Sequence, residues 1–323
     1  MKSKKIMILG GTGALGKTLI KRYYADNDIV VFSRDEHKHY YLLQKYEKVK
    51  CVIGDIKDSK SILQAINEHK PNVIINTAAL KHVPVCEENP YESVKTNIIG
   101  HRNLIDCVQS SNHRIDTLMF ISTDKACSPM NVYGMCKAIS EKLYVDYANK
   151  QTDVKIVLCR YGNVLESTGS VIPFFKSILE DRVLDYIPIT HPDMTRFLLT
   201  LEDAVSLIEW AYTHPNSHGN IVIPNIKALK VTDIADCLVN FYRPTNGWYE
   251  GIKVVGVRPG EKLHELMINF EESLRTKDYG KYYMITDDIL HNKPWQLSSE
   301  SSLMDSTEAK NFLIKTNVIH KLT

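Results

Sequence analysis

Short apolar runs alternate with amphipathic stretches along the first half of the chain. The runs have the length of buried β-strands and are predicted at residues 6–9, 29–32, 49–53, 73–76, 118–121 and 154–158. The stretches between them repeat apolar residues at helical spacing, most clearly at 17–25, 59–70, 91–110 and 133–149. Regular alternation from residue 4 to about residue 164 predicts an α/β fold with a Rossmann-type doubly wound parallel sheet.

The pattern becomes mixed after residue 165. Helices are expected to end near residue 181 and to span 201–212 and 231–241, with a short strand at 220–223. We expect a dinucleotide-binding domain at 1–165, to which 198–226 returns, and a smaller interleaved substrate-binding domain at 166–197 and 227–290. Residues 291–323 show weak periodicity and are predicted to form a loosely docked C-terminal tail.

Bulk composition limits the class of protein. Across 323 residues, 44% hydrophobic and 24% charged residues are ordinary values for a globular chain. A formal net charge of +2 with both signs interspersed argues against nucleic-acid binding. No apolar run reaches the ~18–20 residues of a membrane span, and seven scattered cysteines favour reduced thiols, so a cytoplasmic protein is expected.

His214 and His218 have a metal-like spacing, but Pro215 places them in a loop without further ligands, so no metal site is predicted.

A glycine-rich loop follows the first predicted strand and opens the first predicted helix. Gly10, Gly13 and Gly16 have a spacing typical of a dinucleotide-binding loop. Glycine permits the tight turn and lets the backbone approach a pyrophosphate, which the first amides of the helix can bind. The sequence therefore predicts a dinucleotide cofactor at this edge of the sheet.

The end of the second strand indicates which dinucleotide is bound. Ser33 and Arg34 come first there, and an arginine suits the 2′-phosphate of NADP. Asp35 and Glu36 follow, and a carboxylate at a strand end is typical of NAD, which stays an alternative. After the third strand, Asp55 is placed to hydrogen-bond the adenine edge.

The largest group of reactive side chains that lie close together in the sequence follows the strand at 118–121. Thr123, Asp124 and Lys125 stand at the end of that strand, and Tyr133 and Lys137 come four residues apart shortly after. On a helix, this spacing puts the phenol and the amine on one face. Such a pair is common on helix surfaces, but it gains weight behind a strand-end polar triplet in a chain with a phosphate-binding loop. We therefore predict that these five side chains form a catalytic site.

Together these motifs resemble the extended short-chain dehydrogenase/reductase superfamily, and most closely its inverting UDP-N-acetylglucosamine 4,6-dehydratases. The resemblance covers about residues 4–290 and is most specific at 81–84, 122–126 and 258–262. Retaining dehydratases generally have Thr-Asp-Glu where this chain has Thr-Asp-Lys, and epimerases lack the Asp-Lys pair. The Glu-Ser-Thr at 166–168 replaces a more typical Gly-Ser-Arg, which puts an arginine–phosphate contact there in doubt.

The resemblance implies a set of binding residues. For Asn97, two readings stay open, a satisfied core amide or a hydrogen-bond partner near the site. The expected cofactor contacts are Gly10, Thr12, Gly13, Ala14, Leu15, Gly16, Ser33, Arg34, Asp35, Asp55, Ile56, Thr77, Ala78, Ala79, Lys81, Asn97, Tyr133, Lys137 and Val164. The expected substrate contacts are Lys81, His82, Asn163, Gly169, Ser170, Val171, Pro173, Thr195, Arg196, Arg258 and Glu261.

The resemblance also implies the reaction. Tyr133, with its phenol acidified by Lys137 and the nicotinamide, takes the proton of the sugar 4-hydroxyl while hydride leaves C4, and Thr123 hydrogen-bonds the same oxygen. Lys125 removes the C5 proton, which requires an amine whose pKa is lowered by burial and by the charge of Lys137. Asp124 in its protonated form gives a proton to the departing C6 hydroxyl, hydride returns to C6, and C5 is reprotonated on the opposite face. Because net redox is zero, NADP is expected to stay bound.

The expected partners are UDP-N-acetylglucosamine or a close UDP-hexose and further copies of the chain. A dimer, or a dimer-based hexamer, is implied, with the helices at 91–110 and 133–149 forming the dimer interface. Two alternatives stay open. One is a UDP-sugar 4-epimerase or NADP-dependent oxidoreductase, for which Asp124 and Lys125 would be dispensable; the other is a non-catalytic NADP-binding scaffold.

Overall fold

The computed structural model describes residues 1–151, 153–165, 167, 169–242 and 248–319. None of the helices in this part of the chain is long and apolar enough to cross a membrane. Its strands are β1 (Lys5–Leu9), β2 (Asp28–Ser33), β3 (Lys50–Ile53), β4 (Val73–Asn76), β5 (Thr117–Ile121), β6 (Lys155–Cys159), β7 (Asn163–Val164), β8 (Ile187–Ile189), β9 (Thr195–Leu199), β10 (Ile221–Pro224), β11 (Ala228–Lys230), β12 (Ile252–Val254), β13 (Leu266–Ile268), β14 (Thr276–Asp278), β15 (Tyr282–Ile285) and β16 (Leu297–Ser298). Its α-helices are α1 (Ala14–Tyr23), α2 (Glu36–Lys45), α3 (Ser59–His69), α4 (Val83–Glu88), α5 (Pro90–Val94), α6 (Gly100–Ser110), α7 (Val132–Lys150), α8 (Val171–Asp181), α9 (Leu201–Thr213), α10 (Val231–Tyr242), α11 (Phe270–Ser273) and α12 (Ser306–Lys315).

The main sheet has nine strands in the order β14-β15-β10-β6-β5-β4-β1-β2-β3. The seven strands from β10 to β3 pair in parallel, whereas β15 pairs antiparallel with both β10 and β14. The strand order reverses between β1 and β4, so the loops that follow these two strands diverge and leave a crevice. This confirms the predicted Rossmann-type parallel sheet and fixes where a ligand can bind.

Helices cover both faces of this sheet, which explains why its strands are apolar along their whole length. On one face, buried residues of α1 and α9 pack on β1, β2 and β6. On the other face, buried residues of α3, α6 and α7 pack on β1, β4 and β5. The two layers hold the sheet rigid, so the loops at its carboxyl edge start from fixed points.

A separate hydrophobic cluster forms beside the main sheet. It joins the buried residues of α8, β8 and α10, with Phe175, Ile178 and Ile234 fully or almost fully covered. The predicted division placed residues 227–290 together in the smaller domain, but β14 and β15 extend the main sheet instead. Strand β15 pairs with β10 and β14 pairs with β15, and that edge was not foreseen because short strands carry a weak periodic signal.

The predicted loosely docked tail is wrong for the described residues 291–319. Helix α12 lies within it, and its buried side chains Ala309 and Leu313, four residues apart, pack into the cluster of α8 and α10. Val318 and Ile319 are also buried there. Residues 320–323 lie outside the described part. The segment was misjudged because one buried face of ten residues leaves few apolar positions to reveal a helical period.

The predicted single helix at 91–110 is interrupted. Helices α5 and α6 are joined by a π-helical turn, Lys95–Ile99, in which Thr96 and Asn97 are buried. Such turns insert one extra residue into a helix and often occur at functional sites. The interruption rotates Asn97 towards the loop that follows β4, where its side chain bonds the backbone of Leu80.

Candidate active site

A cleft of about 1000 Å³ runs along the carboxyl edge of the sheet, over the ends of β1, β4 and β5. The fold thus brings together most of the side chains predicted from the sequence. The predicted residues that line the cleft are Gly10, Thr12, Gly13, Ala14, Leu15, Gly16, Ser33, Arg34, Asp35, Asp55, Ile56, Thr77, Ala78, Ala79, Lys81, His82, Thr123, Lys125, Tyr133, Lys137, Asn163, Val164, Gly169 and Ser170.

The glycine-rich loop presents free amides to this cleft. Helix α1 starts at Ala14, its N-cap Gly13 offers no side-chain cap, and its first turn has no acidic residue. A Cβ atom on Gly16 would lie 2.5 Å from Gly11, so the helix can approach the loop this closely only with glycine. Unpaired amides at the positive end of a helix dipole suit a pyrophosphate. The residues present therefore fit the predicted dinucleotide.

Polar side chains cluster at the end of β2. The Ser33 hydroxyl lies 2.6 Å from His39 Nε2 and 3.2 Å from the Thr12 hydroxyl. Arg34 is 61% exposed and lies 3.7 Å from the Asp55 carboxylate, so its guanidinium is free to turn towards an anion. Lys38, which sequence reasoning missed, also lines the cleft because α2 places it one turn beyond Asp35. This end of the cleft is rich in hydrogen-bond donors.

A short 3₁₀ turn, Asp124–Ala126, follows the end of β5, and Thr123 is its N-cap. The Asp124 amide donates to Tyr161 O at 3.0 Å, which fixes the turn to the segment after β6. The Thr123 hydroxyl donates to Asp124 Oδ1 at 2.9 Å, and the Lys125 ammonium donates to the same oxygen at 3.1 Å. Lys125 also donates to Asn163 Oδ1 at 3.1 Å. The Thr123 hydroxyl and the Lys125 amine thus reach the cleft, and the buried Asp124 carboxyl bonds both of them from behind.

Helix α7 begins against this turn, and a glycine makes the approach possible. A Cβ atom on Gly134 would lie 2.3 Å from Lys125 O. Asn131 caps the helix by accepting from the Gly134 amide at 2.8 Å, and its own amide donates to Gly260 O at 2.8 Å. Gly134 was missed because a glycine inside a helix gives no chemical signal. The close packing sets the distance between Lys125 and Tyr133.

Tyr133 and Lys137 share one face of α7, as their spacing predicted. The Lys137 ammonium donates to Ile121 O at 2.6 Å and lies 4.3 Å from the centre of the Phe120 ring. Burial lowers the pKa of Lys137 to about 7. For Tyr133, burial raises the pKa, and the charge that opposes this rise is that of Lys125. The expected lowering of the Tyr133 pKa by Lys137 is therefore not found, and the Lys137 ammonium instead donates to the strand carbonyl of Ile121.

The expected lowering of the Lys125 pKa is wrong. Burial does lower it, but the carboxylates of Asp124 and Glu265 outweigh burial and raise the pKa above its ordinary value. Lys125 Nζ lies 3.3 Å from Glu265 Oε1, and Glu265 is 2% exposed. Sequence reasoning missed Glu265 because it comes from the loop before β13, and nothing in a single glutamate marks it as part of a distant site.

Several predicted residues lie off the wall of the cleft. Asn97 is fully buried, and its side chain accepts from the Leu80 amide and donates to Leu80 O, so it shapes the loop after β4 rather than facing a cofactor. Among the described residues, the predicted ones outside the lining are Asn97, Asp124, Val171, Pro173, Thr195, Arg196, Arg258 and Glu261. Glu166 and Thr168, the departure from the family pattern, lie outside the described residues.

Arg196 is engaged by protein groups. Its guanidinium donates to Thr195 O at 2.7 Å and to Leu263 O at 3.2 Å, and it lies 3.4 Å from Glu261 and 3.8 Å from Glu265. Arg258 is exposed, and its amide contacts the Glu261 carboxylate at 3.4 Å. The guanidinium of Arg196 therefore belongs to the carboxylate network behind Lys125.

A buried ion network below the site supports the catalytic strand. Arg160 pairs with Glu141 of α7 at 2.6 Å and with Glu272 of α11 at 2.7 Å. Glu141 also accepts from the Ser122 hydroxyl at 2.6 Å. This network joins β5, β6 and α7 beneath Thr123, and it fixes the position of the polar turn. Among the described residues, no group of three or more His, Cys, Asp or Glu side chains could hold a metal ion.

Comparison with known proteins relates this geometry to a family. The family model described as polysaccharide biosynthesis protein matches residues 6–287. A UDP-N-acetylglucosamine 4,6-dehydratase (inverting) from Campylobacter jejuni is 39% identical over 296 residues, covering 88% of this chain and 84% of that protein. A UDP-glucose 4-epimerase from Rickettsia rickettsii is 37% identical over 295 residues, covering 88% of this chain and 83% of that protein.

A solved structure resembles the whole fold. The X-ray structure of Pen from Bacillus thuringiensis superimposes with a TM-score of 0.88 at 27% identity, covering 98% of this chain and 99% of that one. The match includes the sheet, the smaller cluster and the C-terminal segment. The family model, the identity over most of the chain and the Gly-rich, Thr-Asp-Lys and Tyr-x-x-x-Lys geometry agree. The chain belongs to the polysaccharide biosynthesis protein family of extended short-chain dehydrogenase/reductases.

Proposed function

We propose that the protein is a C5-inverting 4,6-dehydratase that converts UDP-N-acetylglucosamine to the 4-keto-6-deoxy-L-arabino sugar nucleotide. The observation that carries this proposal is the Asp124–Lys125 pair at the end of β5, beside Tyr133. An oxidoreductase or epimerase needs Tyr133, Lys137 and Thr123 to move hydride at C4, but it has no use for a second acid and amine. The loss of water from C5 and C6 needs both.

The cofactor that fits the cleft is a nicotinamide dinucleotide, and we propose NADP. When bound, the nicotinamide accepts hydride from C4 of the sugar and returns it to C6. The uncapped amides of α1 are placed for the pyrophosphate, and Ser33, Arg34 and Lys38 provide donors for a 2′-phosphate. Because hydride leaves and returns in one turnover, the dinucleotide has no need to dissociate, which supports tight binding.

Tyr133 is proposed to take the proton of the 4-hydroxyl. The charge of Lys125 favours the phenolate against burial. Lys137 holds the end of β5 through Ile121 O, and its pKa of about 7 lets it exchange a proton near neutral pH. These residues prepare the C4 ketone, which makes the C5 proton acidic.

Lys125 and Asp124 are proposed to complete the dehydration. Lys125 removes the C5 proton in its amine form, so C5 exchange is expected to become faster as pH rises towards the raised pKa of Lys125. Asp124, whose pKa is raised by burial, gives a proton to the departing C6 hydroxyl. A solvent proton then reaches C5 on the face opposite Lys125, which gives the inversion.

For the sugar nucleotide, we propose a site on the far side of the cleft from the glycine loop. Lys81, His82 and Asn163 line that side. Ser170 precedes α8, and its buried hydroxyl has no partner among the described residues, so it is placed to bind an oxygen of the substrate. Exposed Arg258 is the guanidinium available for the diphosphate. We propose the smaller hydrophobic cluster around α8 and α10 as the core of the substrate-binding domain.

We also propose a dimer that pairs α5, α6 and α7 of two copies. Large apolar side chains are exposed on α5, on α7 and on the turn between α5 and α6, with exposures of 70% for Tyr91, 44% for Ile99, 47% for Met135 and 47% for Ile139. Such a patch on packed helices is typical of an interface. A monomeric mass by light scattering at micromolar concentration would contradict the dimer.

The decisive experiment is incubation with UDP-N-acetylglucosamine and NADP in deuterated water, followed by NMR of the product. We expect a 4-keto-6-deoxy sugar with deuterium at C5 and the L-arabino configuration. A D-xylo product would show that the configuration at C5 is retained and would contradict the proposed role of Lys125 in the inversion. The Rickettsia relatives make a 4-epimerase the second candidate. Conversion to a C4 epimer that keeps the C6 oxygen would establish it.

A further inference from the structure

Two buried carboxyl groups face one ammonium at the end of β5. Lys125 Nζ lies 3.1 Å from Asp124 Oδ1 and 3.3 Å from Glu265 Oε1. Asp124 is 0% exposed and Glu265 is 2% exposed. One oxygen of each, Asp124 Oδ2 and Glu265 Oε2, has no hydrogen-bond partner in the described chain. The Lys125 ammonium is therefore shared by two buried carboxyl groups.

Glu265 has further positive charges nearby. Arg196 Nε lies 3.8 Å from Glu265 Oε1, and Lys262 adds a third cation on the same side. Burial raises the pKa of Glu265, but Lys125, Arg196 and Lys262 outweigh burial and hold the pKa below its ordinary value. Glu261 takes part of the Arg196 charge at 3.4 Å, yet the balance still favours the carboxylate form of Glu265.

Asp124 has no comparable support. The cation that faces it is Lys125, and its other neighbours are the Thr123 hydroxyl at 2.9 Å and the Tyr133 phenol. Burial raises the pKa of Asp124, and the negative charge of Glu265 raises it further. When two carboxyl groups share a site, the one with less positive charge around it takes the proton.

We propose that Glu265 is a positioning residue that keeps Asp124 protonated by claiming the charge of Lys125. This inference rests on the proposed dehydration, in which Asp124 supplies the proton for the C6 hydroxyl. In that step the Asp124 O–H bond breaks, the proton joins the C6 oxygen, and the C6–O bond breaks as water leaves with its electron pair. The new Asp124 carboxylate is then stabilised by Lys125. Glu265 itself touches neither the sugar nor the cofactor.

The test is Glu265→Gln, which keeps the shape and removes the charge. Without Glu265, Lys125 pairs with Asp124 alone and Asp124 ionises, so water loss is expected to fall about tenfold or more at pH 7.5. The C5 proton should still exchange, because Lys125 loses a carboxylate that held it charged. In deuterated water, the ratio of C5-labelled recovered substrate to dehydrated product should therefore rise. An equal loss of exchange and dehydration, or an unchanged ratio, would overturn the proposal.

Two further variants separate this role from folding. Glu265→Asp retains the negative charge, so it should restore the wild-type ratio even at a reduced rate. Glu209→Gln removes a carboxylate that pairs with Arg22 away from the cleft, and it should not change the ratio. A changed ratio in Glu209→Gln, or an unrestored ratio in Glu265→Asp, would count against a specific effect of the Glu265 charge.

A measurement without substrate keeps the inference distinct from the proposed function. Infrared difference spectra between the wild type and Asp124→Asn at pH 7 should show the C=O band of a protonated carboxyl. The same band should be absent from Glu265→Gln. If the band persists in Glu265→Gln, Glu265 does not control Asp124. If the bands behave as expected but UDP-N-acetylglucosamine is not dehydrated by the wild type, the charge relation holds and the proposed reaction is wrong.

Discussion

Lys125 and Lys137 are twelve residues apart and both line the cleft, yet their surroundings are opposite. Lys125 is flanked by Asp124 and Glu265, which raise its pKa despite burial. Lys137 lies among a strand carbonyl and the Phe120 ring, and burial lowers its pKa to about 7. The first amine is a fixed charge beside carboxylates, and the second is poised to change charge near neutral pH.

Residue type and burial alone therefore do not decide the charge of a lysine in this cleft. Both side chains are taken out of water, a change that disfavours the ammonium of each. Only one of them meets two carboxyl groups within 3.3 Å. Lys125 therefore holds its proton more tightly than a free lysine, and its amine form becomes more available as pH rises, whereas Lys137 changes charge near neutral pH.

Identical substitutions at the two lysines should separate their roles with the largest effect. Lys137→Met should abolish hydride transfer, measured as substrate-driven reduction of NADP at 340 nm, because the amine that can exchange a proton near neutral pH is lost. Lys125→Met should keep that reduction but lower dehydration by about 10²- to 10⁴-fold, since no amine is left for the C5 proton.

The control for this pair is Tyr133→Phe, which should resemble Lys137→Met in losing the first hydride transfer. If Lys125→Met also loses reduction of NADP, the two lysines serve the same step, and the proposed difference between their roles is wrong. If Lys137→Met retains full reduction, Lys137 is only a structural support for Ile121 O.

The same two variants should change the free energy of unfolding in different ways. Lys125→Met leaves two buried carboxyl groups without their shared ammonium, so it should destabilise the ligand-free protein by about 3 kcal/mol at pH 7.5. Urea unfolding followed by circular dichroism measures this loss. A stability equal to that of the wild type would mean that Asp124 and Glu265 are already neutral in the resting protein.

Lys137 should instead produce a pH dependence. Its folded pKa of about 7 lies below the ~10.4 of an unfolded lysine, so between these values the unfolded chain binds more protons. The stability of the wild type relative to Lys137→Met should therefore rise with pH, by up to about 1.4 kcal/mol per unit between pH 7 and 10. Urea unfolding of both proteins at pH 6, 7.5 and 9 tests the sign, and a flat difference would contradict it.

Gly134→Ala tests whether the close packing of α7 against the polar turn keeps Lys125 in position. The added Cβ would meet Lys125 O at 2.3 Å, so α7 or the polar turn has to move. We expect a loss of about 1–3 kcal/mol in stability and a lower rate of C5 exchange. Lys142→Ala, on an exposed position of the same helix, should change stability by less than about 0.5 kcal/mol. Equal effects of the two would remove the packing argument.

The smallest expected effect lies at the distant end of the cleft. Arg34→Ala should weaken NADP binding about tenfold, the value of one charge-assisted hydrogen bond, and leave NAD binding unchanged. Isothermal titration with each dinucleotide measures this. The pKa difference between Lys125 and Lys137 should be unchanged in this variant, because Arg34 contacts neither of them. Equal losses for both dinucleotides would contradict a 2′-phosphate contact.

Local pattern was enough for much of this protein. The alternation of apolar runs and amphipathic stretches determined the parallel sheet, because strands covered on both faces must be apolar throughout. The spacing of Gly10, Gly13 and Gly16 determined the phosphate loop, and the interval between Tyr133 and Lys137 determined that they share a helix face. These features depend on residues that are neighbours in the chain or one turn apart.

The pKa of Lys125, the outer strands of the main sheet and the packing of the C-terminal helix became known only from the tertiary structure. Glu265 reaches Lys125 from the loop before β13, and that contact reverses the pKa expected from burial alone. Strands β14 and β15 join the main sheet, and α12 packs into the smaller cluster, although short elements leave little periodic signal. The physical reason is the same in each case. Coulomb energy and packing depend on distance in space, and separation along the chain carries no information about that distance.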